Sequence, residues 1–234
     1  MKAGISNEAM GMRAAKEFFD GSFVNLGGGM AGTYAYQSVS SSSGKKRVIL
    51  HSENGVLGFG RPFTFDEQDK WDEDLTNATS NYVEALPGMS FFDHAQSFDM
   101  IRGRHLDFTV IGAYQVSEKG DLANWATPAW MDSNGEVKIG SVGGAMDLAI
   151  GAKRVIVVME HRTKQGEPRI LKECTYPITA ARCVNLVVTD LAVLEITGQG
   201  FMLKEIAPGW TVEEVQANSE ANLIVSPDLK EIEL

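Results

Sequence analysis

The sequence of 234 residues has few of the residues that indicate a secreted, metal-binding or membrane protein. It contains two cysteines, Cys174 and Cys183, without CxxC spacing, and we interpret them as reduced structural thiols. No three of its four histidines share a ligand spacing with cysteine or aspartate, which argues against a catalytic metal. The N-terminus lacks a signal-peptide core, and no apolar run is long enough to span a bilayer. We therefore expect a soluble, cytoplasmic protein.

Positive charge is also scarce. The chain has 21 Lys and Arg against 31 Asp and Glu, for a net charge of -10, and its basic residues are scattered except at 45–47. Such a surface repels a polyphosphate backbone, so we exclude nucleic acid as a partner. Hydrophobic residues make up 44% of the chain, close to the average of globular proteins. We expect residues 1–234 to form a single domain.

Alternating apolar and helical patterns predict the fold class. Continuous apolar runs at 22–26, 48–50, 108–111 and 155–159 are typical of strands buried on both faces of a parallel sheet. Helical patterns cover 7–19, with an N-cap signal at Asn7-Glu8, and also 91–101 and 145–149. We predict an α/β fold with a layered, mostly parallel open sheet and helices on both faces. The runs at 183–189, 192–196 and 201–206, with a turn at 198–200, predict an antiparallel C-terminal part.

Several polar motifs follow the predicted strands, where open α/β sheets bind ligands. Glu53 comes directly after one strand and precedes Asn54-Gly55, a pair that favours a tight turn with positive φ. A carboxylate on such a turn can project into a cleft. The alternative, an exposed turn glutamate, is the commoner case for this pattern alone.

Two glycine motifs and one histidine have similarly open interpretations. Gly27-Gly28-Gly29 allows the backbone to pass close to a bulky anionic ligand, or merely forms a tight turn. The backbone N–H groups of Gly143-Gly144 could receive a developing oxyanion, or the pair permits close packing. His161 is a candidate acid–base residue, although a histidine held by packing is the commoner case. No Ser-His-Asp order or GxSxG motif is found, which disfavours the common hydrolases.

Longer segments resemble a known family. They are SENG at 52–55, ALPGMSFFDHAQSFDMIRG at 85–103, YQVSEKGDLANW at 114–125 and VGGAMDLAIGAKRVIVVMEH at 142–161. Together they closely resemble the β subunit of the 3-oxoacid CoA transferases, in order and with matching spacing. The segments ECTYPIT at 173–179 and TDLAVLEIT at 189–197 are most similar to the 3-oxoadipate branch.

The resemblance implies a CoA transferase β-subunit fold, with Glu53 as the nucleophile and the Gly144 N–H in the oxyanion hole. It also implies contacts to CoA from the end of the first strand and the glycines that follow it, namely Asn25, Gly27, Gly28 and Gly29. It further implies an α-subunit partner, in a heterodimer or heterotetramer. The resemblance implies no permanently bound cofactor, with CoA as a substrate and a transient covalent adduct. The expected donor is succinyl-CoA, and the expected acceptor is 3-oxoadipate or acetoacetate.

The chain departs from its relatives near the expected CoA site. Many relatives read NLGIGIPT where this chain has NLGGGMAGT, and they carry a lysine where this chain has Ser80. An apparent insertion covers 132–137. Two alternatives stay open, a ring-cleaving CoA-ester hydrolase subunit of the same fold and a non-catalytic interface subunit. A sugar-phosphate isomerase is suggested by the glycine turn alone and has no support elsewhere in the chain.

Overall fold

The computed structural model of the chain describes residues 2–27, 46–127 and 142–234. The α-helices of these residues are α1 Asn7–Ala15, α2 His94–Arg102, α3 Ala145–Gly151 and α4 Val212–Ala217, and Phe65–Lys70 is a 3₁₀ helix. The strands are β1 Phe23–Leu26, β2 Ile49–Ser52, β3 Val56–Leu57, β4 Ser90–Phe91, β5 Phe108–Ile111, β6 Gln115–Ser117, β7 Leu122–Ala123, β8 Arg154–Val158, β9 Ile170–Leu171, β10 Leu186–Val188, β11 Ala192–Thr197, β12 Gly200–Ile206 and β13 Leu223–Glu231. None of the helices in these three ranges is long and apolar enough to cross a membrane.

The main sheet has ten strands in the order β13-β12-β11-β10-β8-β5-β1-β2-β3-β4. Its centre, from β10 to β2, is parallel throughout. The central strands are buried along their length, as their apolar runs predict, because helices cover both faces. The predicted mostly parallel open sheet is therefore confirmed. A second sheet of three strands, β7-β6-β9, lies beside it.

The C-terminal part is only partly antiparallel. Strands β10, β11 and β12 pair antiparallel, and β11 and β12 form the predicted hairpin with Gly200 at a φ of 117°. The last strand, β13, instead lies parallel to β12. The reason is the crossover helix α4, which carries the chain back to the start of the neighbouring strand. A capping box formed by Thr211 and Glu214 starts this helix.

Alternate side chains of each central strand enter two different cores. In β8, Val155 and Val157 belong to the core under α2, α3 and α4, whereas Ile156 and Val158 belong to the core under α1. Helices therefore pack on both faces, as predicted. The N-cap of α1 is Ser6, whose side chain accepts a hydrogen bond from the Ala9 amide, and the prediction from Asn7-Glu8 is wrong by one residue.

The helix predicted at 91–101 begins only at His94. Residues before it form the short edge strand β4, where Phe91 is 65% exposed. Asp93 starts the helix because its side chain accepts a hydrogen bond of 2.8 Å from the Gln96 amide. This late start lets the segment pair with β3 before it turns and packs on the sheet.

Candidate active site

Glu53 is the first residue after β2, at the carboxyl end of the parallel sheet. The chain turns at once into β3, and the Gly55 amide donates a hydrogen bond of 3.0 Å to the Ser52 carbonyl. Gly55 has a φ of 114°, and a Cβ there would collide with the Phe92 carbonyl oxygen. Only glycine therefore fits this turn. As a result the half-buried Glu53 lines a cleft.

Asn25 lies beside Glu53 because β1 and β2 are neighbours. Asn25 pairs with His51 in the register of these strands, so their side chains leave the same face of the sheet. The fully buried Asn25 Nδ2 donates a hydrogen bond of 2.9 Å to Glu53 Oε2. The fold thus joins two of the predicted site residues, which are 28 positions apart.

Gly144 lies next to the same Glu53 side chain. It is the residue before α3, and a Cβ placed on it would be 3.6 Å from Glu53 Cγ and 3.2 Å from Phe98 Cζ. The preceding Gly143 has a φ of 54°, which makes the tight turn into the helix. The backbone of this turn therefore faces the Glu53 side chain.

Gly27 also lines the cleft, and it is packed against β5. Its amide donates a hydrogen bond of 2.8 Å to the Val110 carbonyl, and a Cβ there would approach Val110 O and Ile111 Cγ2 to 3.0 Å. The residue therefore serves close strand packing as well as the cleft. The predicted Gly28 and Gly29, the NLGGGMAGT departure after Gly27 and the apparent insertion at 132–137 lie outside the described residues.

The cleft has a volume of about 430 Å³ and lies beyond the carboxyl ends of β1, β2 and β5. Sequence reasoning did not predict that Tyr114 and Asn124 also line it. Asn124 is fixed by a hydrogen bond of 3.2 Å to the Gly112 carbonyl and one of 2.7 Å from Thr179 Oγ1. In the sequence, the only signal for Tyr114 and Asn124 was their position shortly after strands β5 and β7.

Behind Glu53 lies a buried polar network that the sequence did not reveal. His51 is 2% exposed, and burial lowers its pKa to about 4, so its ring is neutral near pH 7. Its Nδ1 lies 3.3 Å from Asn25 Nδ2, and its Nε2 lies 3.1 Å from Ser97 Oγ on α2. The available signal was the spacing of His51 and Glu53, because residues two apart in an extended chain share a face.

The turn that holds Ser80 is hydrogen-bonded to the end of β2. The Ala78 amide donates a hydrogen bond of 2.7 Å to Ser52 Oγ, and Ala78 lines the cleft. Ser80 adopts a φ of 60°, which is uncommon for a residue other than glycine. Asn77 Oδ1 supports this turn by accepting hydrogen bonds from Thr79 and from the Asn81 amide.

The other chemically notable residues have structural roles. His161 is fully buried, its Nδ1 lies 2.9 Å from Thr189 Oγ1, and its Nε2 lies 2.8 Å from Ser219 Oγ. Burial lowers its pKa to about 3, which agrees with a histidine held by packing and not with an acid–base group. Cys174 and Cys183 are free, and burial raises their pKa to about 11 and about 12. Both thiols therefore stay protonated and weakly reactive.

Comparison with known proteins assigns the family. Residues 7–218 match the family model for coenzyme A transferase. The B subunit of the 3-oxoadipate CoA-transferase of Pseudomonas putida is 47% identical over 220 residues, which cover 94% of this chain and 97% of that protein. The mitochondrial succinyl-CoA:3-ketoacid coenzyme A transferase 2B of Mus musculus is 45% identical over 223 residues, covering 93% of this chain and 40% of the mouse protein.

A solved structure has the same fold. An acyl-CoA transferase (YdiF) from E. coli O157:H7, in a thioester complex with CoA, superposes with a TM-score of 0.71 at 19% identity. The match covers 100% of this chain and 44% of that chain, so this chain spans less than half of the E. coli protein. The family match and the sequence identities show that the chain belongs to the coenzyme A transferase family, in the branch of the 3-oxoacid β subunits.

Proposed function

We propose that this chain is the catalytic β subunit of a CoA transferase that moves CoA from succinyl-CoA to a 3-oxo acid through a covalent glutamyl-CoA thioester on Glu53. One observation carries the proposal. Asn25 donates a hydrogen bond to the Glu53 carboxylate, Gly144 lies next to the Glu53 side chain, and Glu53 and Gly144 line one cleft at the carboxyl ends of parallel strands. A carboxylate held by one amide donor and bordered by a glycine backbone can act as a nucleophile with an oxyanion donor beside it.

The reaction divides into two halves that resemble each other. A Glu53 oxygen attacks the acyl-CoA carbonyl carbon, the carbon–sulfur bond breaks, and a mixed anhydride and CoA thiolate form. The thiolate then attacks the glutamyl carbonyl, which releases the donor acid as its carboxylate and leaves a thioester on Glu53. The acceptor carboxylate repeats these steps in reverse order and leaves as a new acyl-CoA, while Glu53 becomes a carboxylate again.

Each addition produces a tetrahedral oxyanion that needs a fixed donor. Gly144 lies next to the Glu53 side chain and lacks a side chain that would fill this space, and we propose its backbone N–H as this donor. Removing one oxyanion donor in acyl-transfer enzymes costs about 2.7–4 kcal/mol, so a single well-placed amide can matter this much. Asn25 holds the carboxylate from behind, through its bond of 2.9 Å to Oε2.

The relatives support the choice of substrates and partner. The P. putida relative is named as one subunit of a 3-oxoadipate CoA-transferase, and the mouse relative is named a succinyl-CoA:3-ketoacid transferase. We place 3-oxoadipate ahead of acetoacetate as acceptor, with succinyl-CoA as donor. Because the P. putida relative is one subunit of its enzyme, we propose that an α-type partner subunit provides the rest of the CoA site. The E. coli protein of the same fold is described as a thioester complex with CoA, which supports the proposed intermediate.

Initial-rate kinetics of the assembled enzyme test this function. With succinyl-CoA as donor, we expect ping-pong exchange and a higher kcat/KM for 3-oxoadipate than for acetoacetate. Glu53→Ala should abolish exchange. Glu160→Ala, which removes another carboxylate just beyond the parallel strand β8, is the matched control and should exchange normally. Release of free CoA by water without an acceptor acid would favour the hydrolase alternative, and unchanged exchange in Glu53→Ala would favour the non-catalytic one.

A further inference from the structure

A chain of buried hydrogen-bonding groups leads from α2 to the Glu53 carboxylate. Ser97 Oγ lies 3.1 Å from His51 Nε2, and His51 Nδ1 lies 3.3 Å from Asn25 Nδ2. Asn25 Nδ2 in turn lies 2.9 Å from Glu53 Oε2. Ser97 and Asn25 are fully buried and His51 is 2% exposed, so water does not compete for these bonds.

The chemistry of donors and acceptors fixes the direction of each hydrogen bond in this series. An amide nitrogen donates and cannot accept, so the His51 Nδ1 that faces Asn25 Nδ2 must be the unprotonated, accepting nitrogen. A neutral imidazole then carries its proton on Nε2, where it donates to Ser97 Oγ. The Ser97 hydroxyl can donate its own hydrogen bond to the Ser52 carbonyl oxygen, which lies 3.4 Å away.

The orientation of the Asn25 amide depends on this arrangement. Asn25 Oδ1 has no hydrogen-bond partner within the described ranges, so only the acceptors around Nδ2 fix the amide. These acceptors are the Glu53 carboxylate, the His51 carbonyl oxygen at 3.2 Å and His51 Nδ1. A proton on Nδ1 would instead attract Oδ1, and the reversed amide would place this oxygen against the carboxylate of Glu53.

We propose that Ser97 and His51 are positioning residues that hold the Asn25 amide with its N–H toward Glu53, by fixing the His51 proton on Nε2. Neither residue touches the reacting atoms. Both act through Asn25, and the inference rests on the proposed role of Glu53 as nucleophile. Ser97 reaches the site because it lies on the buried face of α2, against the end of β2.

Nuclear magnetic resonance reads the tautomer without any assay of activity. The assembled enzyme is prepared with 15N-labelled histidine in this chain, and magic-angle-spinning spectra identify the protonated nitrogen of each ring. His51 is assigned by the signal that disappears in His51→Asn. We expect a protonated Nε2 and a bare Nδ1 in the unsubstituted enzyme, and a mixture of tautomers in Ser97→Ala. A proton on Nδ1, or a mixture in the unsubstituted enzyme, overturns the inference.

Two substitutions of His51 separate positioning from packing. Asparagine places its Oδ1 where histidine has Nδ1, so His51→Asn retains the acceptor that faces Asn25, whereas His51→Leu removes it. We expect His51→Leu to lower kcat about tenfold with little change in the KM for succinyl-CoA, as the loss of one buried hydrogen bond implies. His51→Asn should stay within about threefold of the unsubstituted enzyme. Equal losses in the two variants would indicate packing alone.

Ser97→Ala completes the test. We expect about a tenfold lower kcat in the natural background and no further loss in the His51→Asn background, because Ser97 acts through the histidine. Ser22→Ala, which removes another fully buried serine hydroxyl, is the control and should leave kcat unchanged. The inference is contradicted if Ser97→Ala leaves kcat unchanged. It is also contradicted if adding Ser97→Ala to His51→Asn lowers kcat by a further factor of about ten. If Ser97→Ala does not fold, the kcat values of the two His51 variants and the His51 tautomer in the unsubstituted enzyme still test the inference.

The failure of this inference differs from the failure of the proposed function. If Glu53 is not the nucleophile, no CoA adduct forms on it and Glu53→Ala exchanges normally, whatever the His51 tautomer. If only the positioning role is wrong, the adduct forms on Glu53 but kcat does not respond to the His51 acceptor.

Discussion

Replacing Gly144 by alanine should fill space beside Glu53 that the proposed reaction needs, with little change in the stability of the fold. Gly144 has a φ of -84° and a ψ of 7°, which alanine can adopt, so the backbone suffers no left-handed strain. The added methyl would be 3.2 Å from Phe98 Cζ, and this half-buried ring can yield by a few tenths of an ångström. We expect a cost of about 1 kcal/mol, offset by about 0.4–1 kcal/mol from the less flexible unfolded chain.

The effect on catalysis should be much larger. The same methyl would be 3.6 Å from Glu53 Cγ, in the space through which the proposed mechanism brings a substrate carbonyl to the carboxylate. Displacing reacting atoms by about 1 Å costs roughly 100-fold in rate, or about 2.7 kcal/mol. We therefore expect Gly144→Ala to lower kcat/KM by about this factor while its melting temperature changes little. Steady-state CoA exchange and thermal unfolding of the assembled enzyme measure both quantities.

Gly143 offers a matched control in the same turn. A Cβ there meets nothing within 4 Å, but the φ of 54° is left-handed, which costs alanine about 1–2 kcal/mol. Gly143→Ala should therefore be the less stable and the more active of the two variants. A folded Gly144→Ala enzyme with unchanged kcat/KM would refute the placement of the reacting carbonyl beside this residue.

Three further predictions concern stability. Gly55→Ala should unfold several degrees earlier in thermal scans, because its Cβ would collide with a backbone carbonyl oxygen at a φ of 114°. Arg13→Ala should lower the free energy of unfolding in urea by about 3–5 kcal/mol, since it leaves the buried Glu205 carboxylate without its partner at 2.7 Å. The lowered pKa of His161, about 3 against 6.5 unfolded, means that the unfolded chain binds the extra proton between these values. The contribution of His161 to stability should therefore fall below pH 6.5, by about 2 kcal/mol at pH 5, and a shallower pH dependence of the free energy of unfolding in urea for His161→Asn would confirm the cause.

The central fold could be predicted because its signals are local. The run at 108–111 coincides with β5, since a short apolar segment between polar residues suits a strand covered on both faces. The predicted start of α2 at residue 91 was wrong because Phe91 and Phe92 extend the apolar pattern of the helix. Phe91 instead lies exposed on an edge strand. The direction of β13 depends on the crossover helix before it, and its largely exposed, polar residues carry no pattern that indicates a partner.

The candidate site was predictable only in part. The strand-end rule indicated Glu53, the family resemblance indicated Asn25 and Gly144, and the structure places the three residues together. The contact between Ser97 and His51 joins residues 46 positions apart, and it depends on how α2 packs against β2. Because helix docking is set by the whole core, spacing along the chain does not reveal such a contact. A serine in a helix gives no local sign that its hydroxyl supports a buried histidine.

The location of the CoA adduct tests the central claim most directly. The assembled enzyme is incubated with succinyl-CoA without an acceptor acid and digested, and the peptides are analysed by mass spectrometry. The proposed mechanism predicts a CoA thioester on the peptide that contains Glu53, and no adduct in Glu53→Ala. An adduct on another residue, or ping-pong exchange that persists in Glu53→Ala, would contradict the assignment of Glu53 as the nucleophile.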